Sequence, residues 1–160
     1  MAAGATDFER LGGEPGVRAI IEDFTARVFG DVMIGFLFEG KPKARITEME
    51  IRFASAHLGA GTPYSGRSIA HAHRASPILG GHFLRRRRIL AQTLADHGVP
   101  DDIAARWLAH EEGLKGDVLG EGVDPESCDH EVVAERLGPR LGGLLAGGAG
   151  SGRGEPEEGP

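Results

Sequence analysis

His71 and His73 stand one residue apart behind a Gly-Thr-Pro-Tyr-Ser-Gly stretch, residues 61–66. A neutral imidazole nitrogen is a strong ligand for a transition-metal ion, provided a carbonyl or carboxylate orients the ring through its other N–H. On a helix, residues two apart point about 200° away from each other, so His71 and His73 cannot share one ion. A zinc set built from His71, His73 and His82 is poor: no cysteine partners them, and His-x-His suits a strand better than a helix. Cys128 has His130 nearby but no histidine at a catalytic spacing, so a cysteine nucleophile is disfavoured. No phosphate-binding glycine loop and no dinucleotide fingerprint is present. The chemistry therefore rests on an isolated histidine and whatever surrounds it.

The elements that must position it read as helices. Val17, Ile20, Ile21, Phe24, Val28 and Phe29 mark one face of a helix starting near Pro15 and ending at Gly30-Asp31. A short apolar turn, Met33 to Phe38, leads to Glu39-Gly40. A helix over 43–58 follows, with Ile46, Met49, Phe53 and Ala56 expected to face inward. Residues 59–66 read as a loop. A short helix over 68–74 carries both histidines, and Pro77 breaks it. A long helix over 81–97 stops at Gly98. Asp101 is the expected cap of a last helix, with Ile103, Trp107, Leu108, Leu114 and Val118 on its buried side. Trp107 reads as core by its spacing. Strand signals are weak throughout, so the fold class is all-α.

The chain has 160 residues, 40% apolar and 26% charged, enough for one domain with a real core. A globular domain is expected over residues 1–120, followed by an acidic Gly/Pro-rich tail over 121–160. Nine acidic side chains of the tail face Arg136, Arg140 and Arg153, so the whole net charge of −6 belongs to it and residues 1–120 balance. The tail is expected to be largely disordered. Its apolar residues Val132, Val133, Leu137, Leu141, Leu144 and Leu145 are interrupted by Gly138-Pro139 and are expected to dock weakly or not at all. Nothing favours nucleic acid as a partner. No run approaches membrane-spanning length, no leader is evident at the start, and one cysteine suits a reducing compartment. The expectation is a cytoplasmic protein.

Taken in order, Leu11-Gly12-Gly13-Glu14-Pro15, the loop over 61–66, His73, Ile78, His82-Phe83 and Gly98-Val99-Pro100 resemble the truncated haemoglobins, most closely their first group. The resemblance covers about Phe8 to Val118. It implies a two-over-two helical sandwich that holds haem b, with His73 as the protein ligand of iron. Phe24 and Phe38 match aromatic positions that wedge the porphyrin. Ile69, Ile78 and Phe83 match apolar contacts on the side of that histidine, and Ile46 is counted among the residues that bind the cofactor. His82 matches a structural position.

On the opposite, distal face the chain departs from the pattern. Thr25 stands where the first group usually has a tyrosine that hydrogen-bonds bound oxygen, and its hydroxyl is shorter. Glu50 replaces a glutamine. An ionised carboxylate there would repel bound oxygen, whereas a protonated one would donate a hydrogen bond. In Arg85-Arg86-Arg87-Arg88, Arg86 takes an apolar pocket position. A buried, unpaired guanidinium is very costly, so Arg86 must reach solvent or pair with Glu50 or Glu111, the latter itself in an apolar position.

The resemblance implies reversible binding of oxygen, nitric oxide or carbon monoxide, with oxygen storage or delivery as the general role. Some members convert nitric oxide to nitrate with the help of a reductase. Thr25 in place of tyrosine predicts faster oxygen release. Two rivals are a haem-free sensor or interaction module, motivated by Glu50, Arg86 and Glu111, and a haem sensor or carrier whose tail engages a partner.

Overall fold

Apolar side chains recurring at helical spacing dominate the chain, and the computed structural model, which describes residues 4–76 and 78–119, buries them between helices. None of these residues lies in a strand. The elements are α1 (Asp7–Arg10), α2 (Gly13–Gly30), a 3-10 turn (Gly35–Phe38), α3 (Lys43–Leu58), α4 (Ile69–His73), α5 (Gly80–Asp96), α6 (Asp101–Gly113) and α7 (Lys115–Leu119). The α2–α3 pair and the α5–α6 pair form the two layers, with α2 also packed on α5. This is the two-over-two sandwich. Short α4 packs against α7. All described residues fall in one unit, Met1–Cys128; the expectations about Pro77 and the tail over 121–160 lie outside the described residues.

The core follows from α2. Val17, Ile20, Ile21, Phe24 and Val28 recur every three or four residues and are almost fully buried. They meet Ile51, Ala54 and Leu58 of α3, Ile89, Leu90 and Leu94 of α5, and Ile103 and Trp107 of α6 in one cluster. Trp107 is 1% exposed, as its spacing suggested. Phe83, Leu79 and Leu119 are also buried but stand outside this cluster.

Three local expectations need correction. The helix expected near Pro15 starts at Gly13, because Gly12 and Gly13 take positive φ values of 88° and 70° and turn the chain there. The residues of α3 expected to face inward, Ile46, Met49, Phe53 and Ala56, are only half-buried, while Ile51, Ala54 and Leu58 are buried. That helix carries two apolar stripes, and the one that meets α2 is the less bulky. Asp101 does not cap α6. Extended Pro100 occupies the cap and Asp101 is the first helical residue, with no side-chain capping bond. The Pro100 carbonyl accepts from the Ile103 and Ala104 backbone N–H groups at 3.0 and 2.9 Å, so the first turn closes on backbone alone.

The helix ends are otherwise conventional. Thr6 and Glu9 form a reciprocal capping box on α1. Gly59 closes α3 in a left-handed conformation. Close contact explains one further glycine: a side chain at Gly16 would run into the Leu11 carbonyl, so only glycine lets α1 fold back onto the start of α2.

Candidate functional site

Ser68, whose hydroxyl accepts from the His71 backbone N–H at 3.2 Å, starts α4. One turn later His73 is half-buried, while His71 is exposed. The Nδ1 of His73 lies 2.8 Å from the Ile69 carbonyl oxygen. A carbonyl only accepts, so in the neutral ring Nδ1 carries the proton and Nε2 is left with its lone pair. The backbone of its own helix thus fixes both the tautomer and the ring angle, which is the arrangement a metal-ligating histidine needs.

The loop ahead of α4 is shaped by Gly66, where any side chain would collide with the Tyr64 ring and the Met49 side chain. Tyr64 meets Phe53 of α3 edge-on, with ring centroids 5.2 Å apart. His82 holds the start of α5 together, since its Nδ1 accepts from the Leu79 backbone N–H at 3.2 Å and its ring meets Phe36 edge-on.

On α5 the four arginines diverge as four consecutive residues of a helix must. Arg85 binds Asp31 at 2.6 Å, tying the helix to the turn that follows α2. Arg87 reaches Glu112 at 3.3 Å, and Arg88 is exposed. Arg86 turns inward. Its guanidinium lies 2.5 Å from Glu111 on α6 and 2.9 Å from Glu50 on α3, and its carbon sits 4.8 Å from the centre of the Phe24 ring. Both carboxylates considered as partners are engaged at once. Glu111 is 7% exposed, Arg86 23% and Glu50 29%, so the group opens toward a cavity or solvent on one side. Burial opposes the charge on Arg86, but attraction to Glu50 and Glu111 and its bonds to them more than offset this, and its pKa is raised.

Thr25 is buried beside Phe24. Its hydroxyl lies 2.8 Å from the Ile21 carbonyl and 3.0 Å from the Thr47 hydroxyl, which itself donates to the Lys43 carbonyl. With the Thr47 proton on Lys43, the single Thr25 proton goes either to the Ile21 carbonyl or to the Thr47 hydroxyl, and in both cases it stays within the α2–α3 interface.

Phe38, Ile46, Ile69 and Ile78 are apolar and yet only half-buried. Apolar side chains with exposed faces, and a His73 ring preoriented by its own backbone, are compatible with a porphyrin, whose iron His73 would hold. An open cleft of 440 Å³ lies nearby, lined by Phe29, Phe36, Phe38, Lys41 and Lys43. It shares only Phe38 with the residues assigned to the cofactor by resemblance. Lys41 also reaches across to Ser76 at 3.1 Å, joining the region after the 3-10 turn to the end of α4.

Sequence reasoning missed a second cluster. His57 of α3 and His110 of α6 stack with ring centroids 4.1 Å apart and planes 7° from parallel, flanked by Phe53 and Trp107. Both ring nitrogens of His57 and the Nδ1 of His110 are buried without a hydrogen-bond partner. Burial first, and His110 second, push the His57 pKa down to about 4; the Phe53 carbonyl, which lies outside hydrogen-bond geometry, and Asp7 pull the other way with smaller effect. The two residues are 53 positions apart in the sequence, and only the α3–α6 packing reveals the pair.

The model of the family described as bacterial-like globin matches residues 6–119. A group 1 truncated hemoglobin, GlbN, of Mycolicibacterium paratuberculosis is 29% identical over 104 residues, covering 65% of this chain and 76% of that protein. A group 1 truncated hemoglobin of Tetrahymena pyriformis is 29% identical over 118 residues, 72% of this chain and 95% of that protein. The solved Fe(III) form of truncated hemoglobin from Tetrahymena pyriformis superposes with a TM-score of 0.66 at 28% identity, covering 73% of this chain and all of that one. The 2/2 hemoglobin of Synechococcus, solved in the cyanomet state with covalently attached heme, gives a TM-score of 0.69 at 24% identity, over 72% of this chain and 98% of that one. At that identity the last likeness speaks to the fold.

Proposed function

The chain belongs to the bacterial-like globins, among the truncated haemoglobins, and from that premise we propose that it holds haem b through His73 and binds diatomic gases reversibly. The observation that carries the reading is the His73 ring, held by the Ile69 carbonyl with Nε2 free to ligate. Haem, when bound, supplies an iron centre that takes up oxygen, nitric oxide or carbon monoxide.

The chain's own residues supply the rest. Phe38, Ile46, Ile69 and Ile78 are half-buried apolar residues that would line the porphyrin, and buried Phe24 and Phe83 would complete its apolar surroundings. Thr25 shares its hydroxyl proton between the Ile21 carbonyl and the Thr47 hydroxyl, so it gives a gas ligand little hydrogen bonding and release is fast. Oxygen storage or delivery is the general role. Conversion of nitric oxide to nitrate is a secondary activity, since it needs long-lived oxygen binding and a reductase. A cytoplasmic setting fits the single cysteine. Among the described residues no helix is long and apolar enough to cross a membrane.

The test is a hemin titration of the purified protein followed by absorption. A sharp Soret band that saturates at one equivalent, and that shifts or weakens in His73→Ala, is the expected result. A band indifferent to that substitution would remove His73 from the iron. The charged group of Arg86, Glu50 and Glu111 motivates a second reading, a haem-free globin fold that serves as a sensor or interaction module. Failure to form any Soret band would favour it.

A further inference from the structure

Arg86, Glu50 and Glu111 bring three formal charges from three helices into one hydrogen-bonded group, with a single positive centre between two negative ones. Counted as ionised groups, the trio carries one net negative charge. The Phe24 ring lies on the guanidinium and contributes no compensating positive charge. Thr25, the neighbouring polar residue, is neutral and has its proton engaged by the Ile21 carbonyl or the Thr47 hydroxyl. Arg85, the nearest other cation in the sequence, is spent on Asp31, and Arg87 reaches Glu112. Arg52 and Arg67, which act on Tyr64 together with Glu50, are exposed and screened by water, so the trio keeps a residual charge in a partly dehydrated site, where charge acts with less screening than in water.

The porphyrin dianion leaves ferric haem with one positive charge at its centre and ferrous haem with none. Reduction adds one electron and makes or breaks no bond in the trio. We propose that the Arg86–Glu50–Glu111 trio holds haem iron toward the ferric state and lowers its midpoint potential. This rests on the haem reading above, in which Glu50 and Arg86 face the side of the porphyrin opposite His73. Dehydration and nearby fixed charge are the levers by which a protein tunes such a couple. The pocket thereby favours a resting ferric form, and gas binding that needs ferrous iron depends on the strength of the electron supply.

The test is a mediated spectroelectrochemical titration of the full-length, hemin-loaded protein and four variants. Glu50→Gln and Glu111→Gln each remove one negative charge. Both are expected to raise the midpoint potential, changing the ferric-to-ferrous ratio at a fixed potential by about tenfold, about 59 mV for a one-electron couple. Arg86→Met removes the positive charge and should move the potential the opposite way. Arg86→Lys keeps that charge and should leave the potential at its original value. Shifts of the same sign in the glutamine and methionine variants would mean loosened packing and overturn the proposal. Unchanged potentials in a haem-loaded protein would overturn it too, leaving the haem reading intact. If no haem binds, both fall together.

Discussion

Thr25 shows how much a single side chain can withhold. Its hydroxyl bonds the Ile21 carbonyl one turn back and meets Thr47 across the helix interface, so its polarity is consumed inside the protein. Thr25→Val should therefore leave the oxygen dissociation rate of the haem-loaded protein within about twofold. Its cost in stability should be about 1 kcal/mol, the ordinary worth of a hydrogen bond. A rate change of tenfold or more, followed by stopped flow, would show that the hydroxyl faces the ligand after all. His57 makes a different prediction. Its pKa is pushed from 6.5 down to about 4, mainly by burial and then by the stacked His110. Between those values the unfolded chain binds a proton that the folded chain refuses, so stability falls as pH drops from about 6.5 toward 4. Each pH unit in that window costs at most about 1.4 kcal/mol. Urea unfolding at pH 7 and pH 5 should show the loss, and His57→Phe should abolish most of it. An equal loss in that variant would assign it to other groups.

Helix contacts have their own sensitivities. A methyl group at Gly16 would overlap the Leu11 backbone carbonyl, which cannot rotate away as a side chain would. Gly16→Ala should cost roughly 1–3 kcal/mol, the usual range for overpacking, and a denaturation midpoint equal to the parent's would show that α1 yields instead. The helices themselves were legible in advance because glycine and proline punctuate them: Gly30-Asp31, Gly59 and Gly98 fall at helix ends as read. The bounds of α3 were read correctly, yet its inward face was not. Ile46, Met49 and Phe53 are the larger residues and drew the assignment, but the α2 surface, closed by Phe24 and Ile21, accepts the smaller stripe of Ile51 and Ala54. Periodicity locates a stripe without saying which neighbour it meets. For the same reason the Arg86 partners were narrowed to two acids by cost alone, while the His57–His110 stack gave no local signal. A histidine alone does not announce whether another ring lies 4.1 Å above it.

At the scale of the whole molecule, the core is built by the helices themselves: Val17, Leu94 and Ile103 are wholly buried among other side chains. Hemin should then act as an added stabiliser by mass action, by about 4 kcal/mol when the free ligand exceeds its dissociation constant a thousandfold. Calorimetry with and without hemin checks this: a melting temperature insensitive to hemin would mean that the native state does not bind it. The ion-bonded trio carries a consequence of another kind, for anyone who re-engineers the pocket. Arg86 without an acid strands a cation, and Glu50 with Glu111 but without Arg86 sets two like charges against each other. Each member's substitution has a meaning only in the background of the other two, which is epistasis built from three side chains. Of the two acids, the more open carboxylate at 50 tolerates the loss of Arg86 better than buried Glu111 does, so the three positions are best exchanged as one set.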